Sequence, residues 1–163
     1  MSPLLRPFLL SLTLLSGHLV LAFPEDASPQ ATCQEKVNQV IDKIHNEGVK
    51  KVGVEVRPGL VRHPNNPTSR SDELIIVMTP TNRRTKLITE DIIKSPTLLR
   101  VWSDAVVVSC GSTAVVRFRV ARSNFVRAYY VQYDGTTRQV ECVNFSSPNY
   151  PWGVEYCPET LEK

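Results

Sequence analysis

The side chains best suited to chemistry are Cys110, His63 and two adjacent carboxylate pairs, and each sits in a pattern that limits what it can do. Cys110, in Ser109-Cys110-Gly111-Ser112, could serve as a thiol nucleophile. That role needs a lowered thiol pKa, from a helix N-terminus or a nearby cation. Cys110 instead follows a helix-like stretch and has no well-placed His, so a half-cystine is expected. His63 lies in a long polar segment with Ser71 and Asp72 close behind, the residue types of a hydrolase. The plainer reading is a solvent-facing loop histidine, and His45 falls on the polar side of a helix. Asp72-Glu73 and Glu90-Asp91 read as a strand start and a helix cap rather than an acid–base pair, which needs environments that split the two pKa values. No G-x-S-x-G, H-E-x-x-H, phosphate-cradling glycine loop or EF-hand spacing occurs. The sequence therefore assigns no catalytic residue. The cysteines contain no C-x-x-C and few histidines accompany them, so no metal or cofactor is expected.

Residues suited to binding are more numerous. Arg117 and Arg119 project from one strand with Tyr130 across from them, a basic strip with an aromatic. A solvated sheet face of Arg, Tyr and Glu rows accounts for the same pattern. Arg83, Arg84 and Lys86 read as an exposed basic turn. The tail 147–156 carries Tyr150, Trp152 and Tyr156 among Pro and Gly, between Cys142 and Cys157. Such a segment can form a rigid aromatic surface for a sugar or a protein hot spot, or its Trp can lid the core. Asn144-Phe145-Ser146 is a formal N-glycosylation acceptor.

The compartment follows from the start of the chain. Residues 1–22 hold one charge, Arg6, then an apolar run from Phe8 to Leu15 and Val20-Leu21-Ala22, the pattern of a secretory signal peptide. Residues 23–31 read as a flexible leader and 32–163 as a single domain, secreted or periplasmic, with no stable membrane span after cleavage. Of 163 residues, 42% are hydrophobic and 21% charged, which excludes a disordered chain. Loss of residues 1–22 removes one basic residue and no acidic one, taking the net charge from +3 to +2. That charge and the expected export argue against nucleic acid as a partner.

The elements that must hold these residues can be read from periodicity. Thr32 and Glu35 form a capping box, and Cys33, Val37, Val40, Ile41 and Ile44 recur at helical spacing up to Gly48. Val52, Val54 and Val56 alternate with polar residues as a half-buried strand. Residues 58–72 form a connection long enough to be functional or mobile. Leu74 to Met78 suit a central strand, and Ser95-Pro96 starts a helix that Gly111 ends. A meander at about 113–121, 125–133 and 136–143 is expected, with Asp134-Gly135 as a tight turn. Its core face would hold Val116, Phe118, Val120, Tyr129, Val131, Tyr133, Val140 and Cys142. Arg117, Arg119, Tyr130, Gln132, Thr137, Gln139 and Glu141 would occupy the other. The fold expected is α+β: an antiparallel sheet of about five strands, in the order α-β-β-α-β-β-β, with two helices on one face.

Four cysteines in an oxidising compartment predict two disulfides. The meander sets Cys110 and Cys142 at opposite sheet ends, too far apart to bond. Of the two remaining pairings, Cys33–Cys110 with Cys142–Cys157 is preferred, because the short tail can fold straight back.

Two resemblances accompany these readings. A signal peptide, a helix, a sheet, four cysteines and Pro151-Trp152 are shared with cystatin-type protease inhibitors, but no Gln-x-Val-x-Gly segment occurs and Cys33 on the helix does not fit their disulfides. Ser95-Pro96-Thr97-Leu98-Leu99, Ser109-Cys110, Asp134-Gly135, Glu141-Cys142-Val143 and Pro151-Trp152-Gly153 with Cys157 resemble small exported proteins of cyanobacterial type that have no known function. The likeness covers about residues 71–157 and implies compartment and a coherent fold. The function expected is a non-enzymatic binding module for a protein or glycan. The alternatives are a small secreted hydrolase using the His63 loop and a protease-inhibitor-like protein.

Overall fold

A hydrophobic stripe on the first helix sets the architecture. In the computed structural model, which describes residues 29–157 except 62, 146 and 148, helix α1 spans Pro29–Asn46. Val37, Val40 and Ile44 of the expected stripe are buried, with Cys33 and Ile41 packed beside them. The helix starts before Thr32, so residues 29–31 are helical rather than leader. The expected signal peptide and the remaining leader lie outside the described residues.

Strand β1 (Val52–Arg57) pairs antiparallel with β2 (Asp72–Met78), which pairs parallel with β3 (Thr113–Val120). Strand β4 (Val126–Val131) and β5 (Thr137–Gln139) follow antiparallel, giving the order β1-β2-β3-β4-β5. The sheet is thus mixed, where a wholly antiparallel one was expected. The reason is the crossover from β2 to β3, which is long enough to carry two helices and so returns the chain in the same direction. Those helices are α2 (Arg83–Ile93) and α3 (Pro96–Ser109), so three helices, not two, pack on one sheet face. Among the described residues, no helix is long and apolar enough to cross a membrane.

Helix α2 replaces the expected basic turn. Asn82 is its N-cap: the side chain accepts from the Thr85 amide at 2.9 Å, and the Thr85 hydroxyl accepts from the Asn82 amide at 3.0 Å. This is a capping box built with Thr at the third position instead of the usual Glu or Gln. Arg83, Arg84 and Lys86 therefore occupy the exposed first turn, while Thr85, Thr89, Ile92 and Ile93 are buried. On β1, only Val52 reaches the core; Val54 and Val56 are 39% and 55% exposed, because the helical layer covers only the start of this edge strand.

The third meander strand departs further. The turn after β4 has three residues, Tyr133-Asp134-Gly135, with the Gln132 amide donating to Thr136 O at 2.7 Å and Gly135 at φ +79°. This is a three-residue turn closed by a left-handed glycine, one residue longer than the expected two-residue turn. One residue of slip turns every following side chain over. Thr137 and Gln139 consequently face the helices, where Tyr129 Oη bonds Gln139 at 3.5 Å. Val140 packs on the opposite face, and Tyr133 stands 89% exposed in the turn. The strand then breaks: β6 (Glu141–Val143), with Cys142, pairs parallel with β7 (Val154–Tyr156) in a separate two-stranded sheet.

Asp104 of α3 secures the displaced strand, accepting from the Thr137 amide at 2.5 Å and the Thr137 hydroxyl at 2.7 Å. Thr137 is buried, so Asp104→Ala leaves two donors unsatisfied. Urea unfolding should show a loss of about 1–3 kcal/mol, and an unchanged midpoint would show that Thr137 finds other acceptors. Both preferred disulfides form, Cys33–Cys110 and Cys142–Cys157. The first ties α1 to the end of α3, and the second closes β6 onto the residue after β7.

Candidate functional site

The sheet face away from the helices carries the site. Alternation places Glu73, Val115, Arg117 and Tyr130 there, beneath the loop 58–71 and the tail 144–157. Loop 58–71 is tied down by its own polar groups. Asn66 donates to Arg70 O at 2.7 Å, and Arg70 reaches Val107 O at 2.6 Å and Thr113 O at 3.3 Å. The Ser112 hydroxyl and the Gly59 amide hold the Asp72 carboxyl below the usual carboxylate range. Asp72 thus fastens the loop rather than orienting His63.

Arg117 lies at the centre, its guanidinium donating to Glu73 at 2.6 Å and to both oxygens of Glu155 at 2.9 and 3.2 Å. The Glu73 side chain is 6% exposed, and Arg57 approaches its other oxygen at 3.6 Å. The Tyr130 hydroxyl donates to Glu155. Burial pushes the Glu155 carboxyl up, but the hydrogen bonds and charge of Arg117, with the Tyr130 hydroxyl, outweigh it and hold it low. Burial, then the neighbouring Glu155 charge, raises the Tyr130 phenol, which stays protonated as the donor. The fork geometry of Arg and the two carboxylates forms a half-buried ionic row across β2, β3 and β7.

The tail completes the surface. Trp152 is half-buried, its indole N–H donating to Val131 O at 2.8 Å and its ring edge-on to Tyr130, with centroids 4.7 Å apart. It covers the small cluster of Ala114, Val115 and Ala128. Tyr150 donates to Phe145 O at 2.6 Å and accepts from the Ser147 amide at 2.8 Å, which fixes its ring. His63 sits against Trp152 at 5.6 Å, and its Nδ1 accepts from the Asn65 amide at 3.2 Å.

Between loop and tail runs a cleft of about 440 Å³, lined by His63, Pro64, Tyr130, Asn149, Tyr150, Val154, Glu155 and Tyr156. A smaller recess of about 230 Å³ adjoins it through His63 and Tyr130 and reaches Glu73 and Arg117. Among the described residues lining either space there is no Ser, Thr or Cys, and His63 is oriented by a backbone amide rather than a carboxylate. Among these described lining residues, His63 has no hydroxyl or thiol of Ser, Thr or Cys beside it. A recess of about 490 Å³ at the β4–β5 turn, beside Arg100, Tyr133 and Arg138, is a more open surface dip.

Of the six residues singled out in the sequence, Tyr130, Tyr150 and Tyr156 line the cleft. Trp152 supports it from below, and Arg117 is consumed by its ion pairs. Arg119 is exposed and stands apart, near enough to Glu55 to help hold that carboxyl low after the stronger hydrogen bond from Arg57. Glu155, Asn149 and the position of His63 went unread. An arginine centred in a buried strand demands carboxylate partners, and that demand was the available signal for Glu73 and Glu155. Compared with known proteins, the chain matches no family model, no curated protein and no solved structure.

Proposed function

We propose that this protein is an exported, non-enzymatic binding module that holds a glycan in the cleft between the loop 58–71 and the tail. The observation that carries this reading is the convergence of Tyr130, Tyr150, Tyr156 and His63 around Asn149 and Glu155. Sugar rings present apolar C–H faces that suit aromatic walls, while their hydroxyls need donors and acceptors fixed in place. Asn149 supplies both, and Tyr156, 51% exposed, offers an uncovered ring. The two disulfides support an oxidising destination, and the signal-like start of the chain supports export.

The test is calorimetry of the oxidised protein against oligosaccharides of several classes. Tyr156→Ala should weaken the best ligand about fivefold, since one lost stacking wall is worth on the order of 1 kcal/mol. Its unfolding midpoint should stay near that of the wild type. Binding that is indifferent to Tyr156 and Asn149, or absent for every glycan class, would sink the reading.

A further inference from the structure

Among the described residues, β1 is the terminal strand of the sheet, paired on one side only, and its other side lies apart from the cleft. The Thr79 amide donates to Lys51 O at 2.8 Å, so the backbone groups of Lys51 face β2. Backbone groups alternate along an antiparallel strand, so those of Lys51, Gly53, Glu55 and Arg57 point inward. The N–H and C=O groups of Val52, Val54 and Val56 point outward, along an edge whose helix-side valines are only partly covered. A row of unpaired groups beside exposed valines is a template for another strand.

Charge identifies that strand. Two copies of β1 related by a two-fold axis perpendicular to the sheet must place some residue opposite itself. With Val54 at the axis, Lys51 faces Arg57 of the other copy. With Glu55 at the axis, the two carboxylates meet. With Val56 there, Glu55 faces Arg57 but Val54 faces Pro58, which has no N–H to donate. With Gly53 at the axis, Lys51 faces Glu55 of the other copy, twice, and two hydrogens replace any clash at the centre. In that register Val52 and Val54 of opposite copies exchange backbone hydrogen bonds. Lys51 and Glu55 then fall at non-hydrogen-bonded positions, where facing side chains come closest. The valines line one side of the seam and the ion pairs the other.

We propose that β1 pairs antiparallel with β1 of a second copy, about Gly53, to form a two-fold dimer with a continuous ten-stranded sheet. The contact is isologous and closes at two copies. It rests on one short strand and two exposed ion pairs, so the dimer is weak and salt-sensitive.

Sedimentation velocity of the oxidised protein from about 1 μM to about 1 mM should show a monomer–dimer equilibrium that shifts toward monomer in high salt. Lys51→Glu alone and Glu55→Lys alone should each weaken self-association at least about tenfold, because each turns both ion pairs into like-charge contacts. An equimolar mixture of these two variants should associate as a heterodimer, since each then supplies the charge the other lacks. Both positions are exposed, and circular dichroism will verify that each variant is folded. A wild type that stays monomeric at the highest concentration overturns the proposal. So do single variants that dimerise like the wild type, or a mixture that remains monomeric.

Discussion

Arg117→Ala should destabilise the domain by about 3 kcal/mol at neutral pH, since it leaves the buried Glu73 and the part-exposed Glu155 without their main cation. The Glu73 side chain would retain only Arg57, at 3.6 Å and itself 42% exposed. Glu155 would keep the Tyr130 hydroxyl but lose a two-pronged partner. Arg117→Lys should recover only part of the loss, because an ammonium cannot reproduce the fork. The deficit should also depend on pH in a defined direction. In the wild type the folded-state pKa of Glu155 is depressed. Its stabilisation is therefore present above the unfolded value of about 4.3 and is lost as pH falls through the lower folded value. In the variant, burial dominates and raises the carboxyl, so protonation becomes favourable to the fold and the gap to wild type narrows from pH 7 toward pH 4.5. Urea titrations at these two pH values would measure it. A gap below about 1 kcal/mol at pH 7, or one independent of pH, would show that the row contributes little.

The two disulfides should differ in what their removal costs. Cys33 and Cys110 are 77 residues apart, and loop-closure entropy assigns that link about 4.5 kcal/mol. Cys142 and Cys157 are 15 apart, for about 3 kcal/mol. Alanine at both members of each pair keeps the comparison free of new thiols, and Cys110, which is buried, tolerates the smaller apolar side chain best. Without the long link, α1 is joined to α3 by packing alone, and the whole domain should unfold at lower urea. Without the short one, the segment bearing Glu155 and Tyr156 should loosen while the helix-covered core persists, so cleft binding should weaken by more than the global loss implies. If the short link proves the costlier, the ordering by loop length fails, and the tail is part of the cooperative core.

Much of the helix side was legible because burial there follows strict periods. The stripe on α1 and the alternation of β3 are patterns in which one face is apolar, and the run Leu74–Met78 of β2 is apolar on both. Errors arose where a single residue carried the decision. Asn82-x-x-Thr85 lacks the acidic third position that marks a helix start, so the first half of α2 reads as a turn and Glu90-Asp91, inside the helix, reads as its cap. Asp134-Gly135 admits either a two- or a three-residue turn, and that choice reversed the faces of Thr137, Gln139 and Val140. The antiparallel sheet was an error of connection, since two helices between β2 and β3 were already room enough for a parallel return. The cleft was half legible. Its tyrosines stand out by composition, but Glu155 and His63 reach Tyr130 only through the folding back of loop and tail, separations that no local pattern encodes.

With the three helices on one side of the sheet, the apolar core and the cleft-lining residues occupy opposite halves of the molecule. Positions such as Tyr156, Asn149 and His63 can then change without disturbing the packing that keeps the chain folded. Such a layout favours diversification: related chains could acquire new specificities by drift in two surface segments over an inherited base. Arg117 marks the limit of that freedom, because loop, tail and sheet all settle their charges through it.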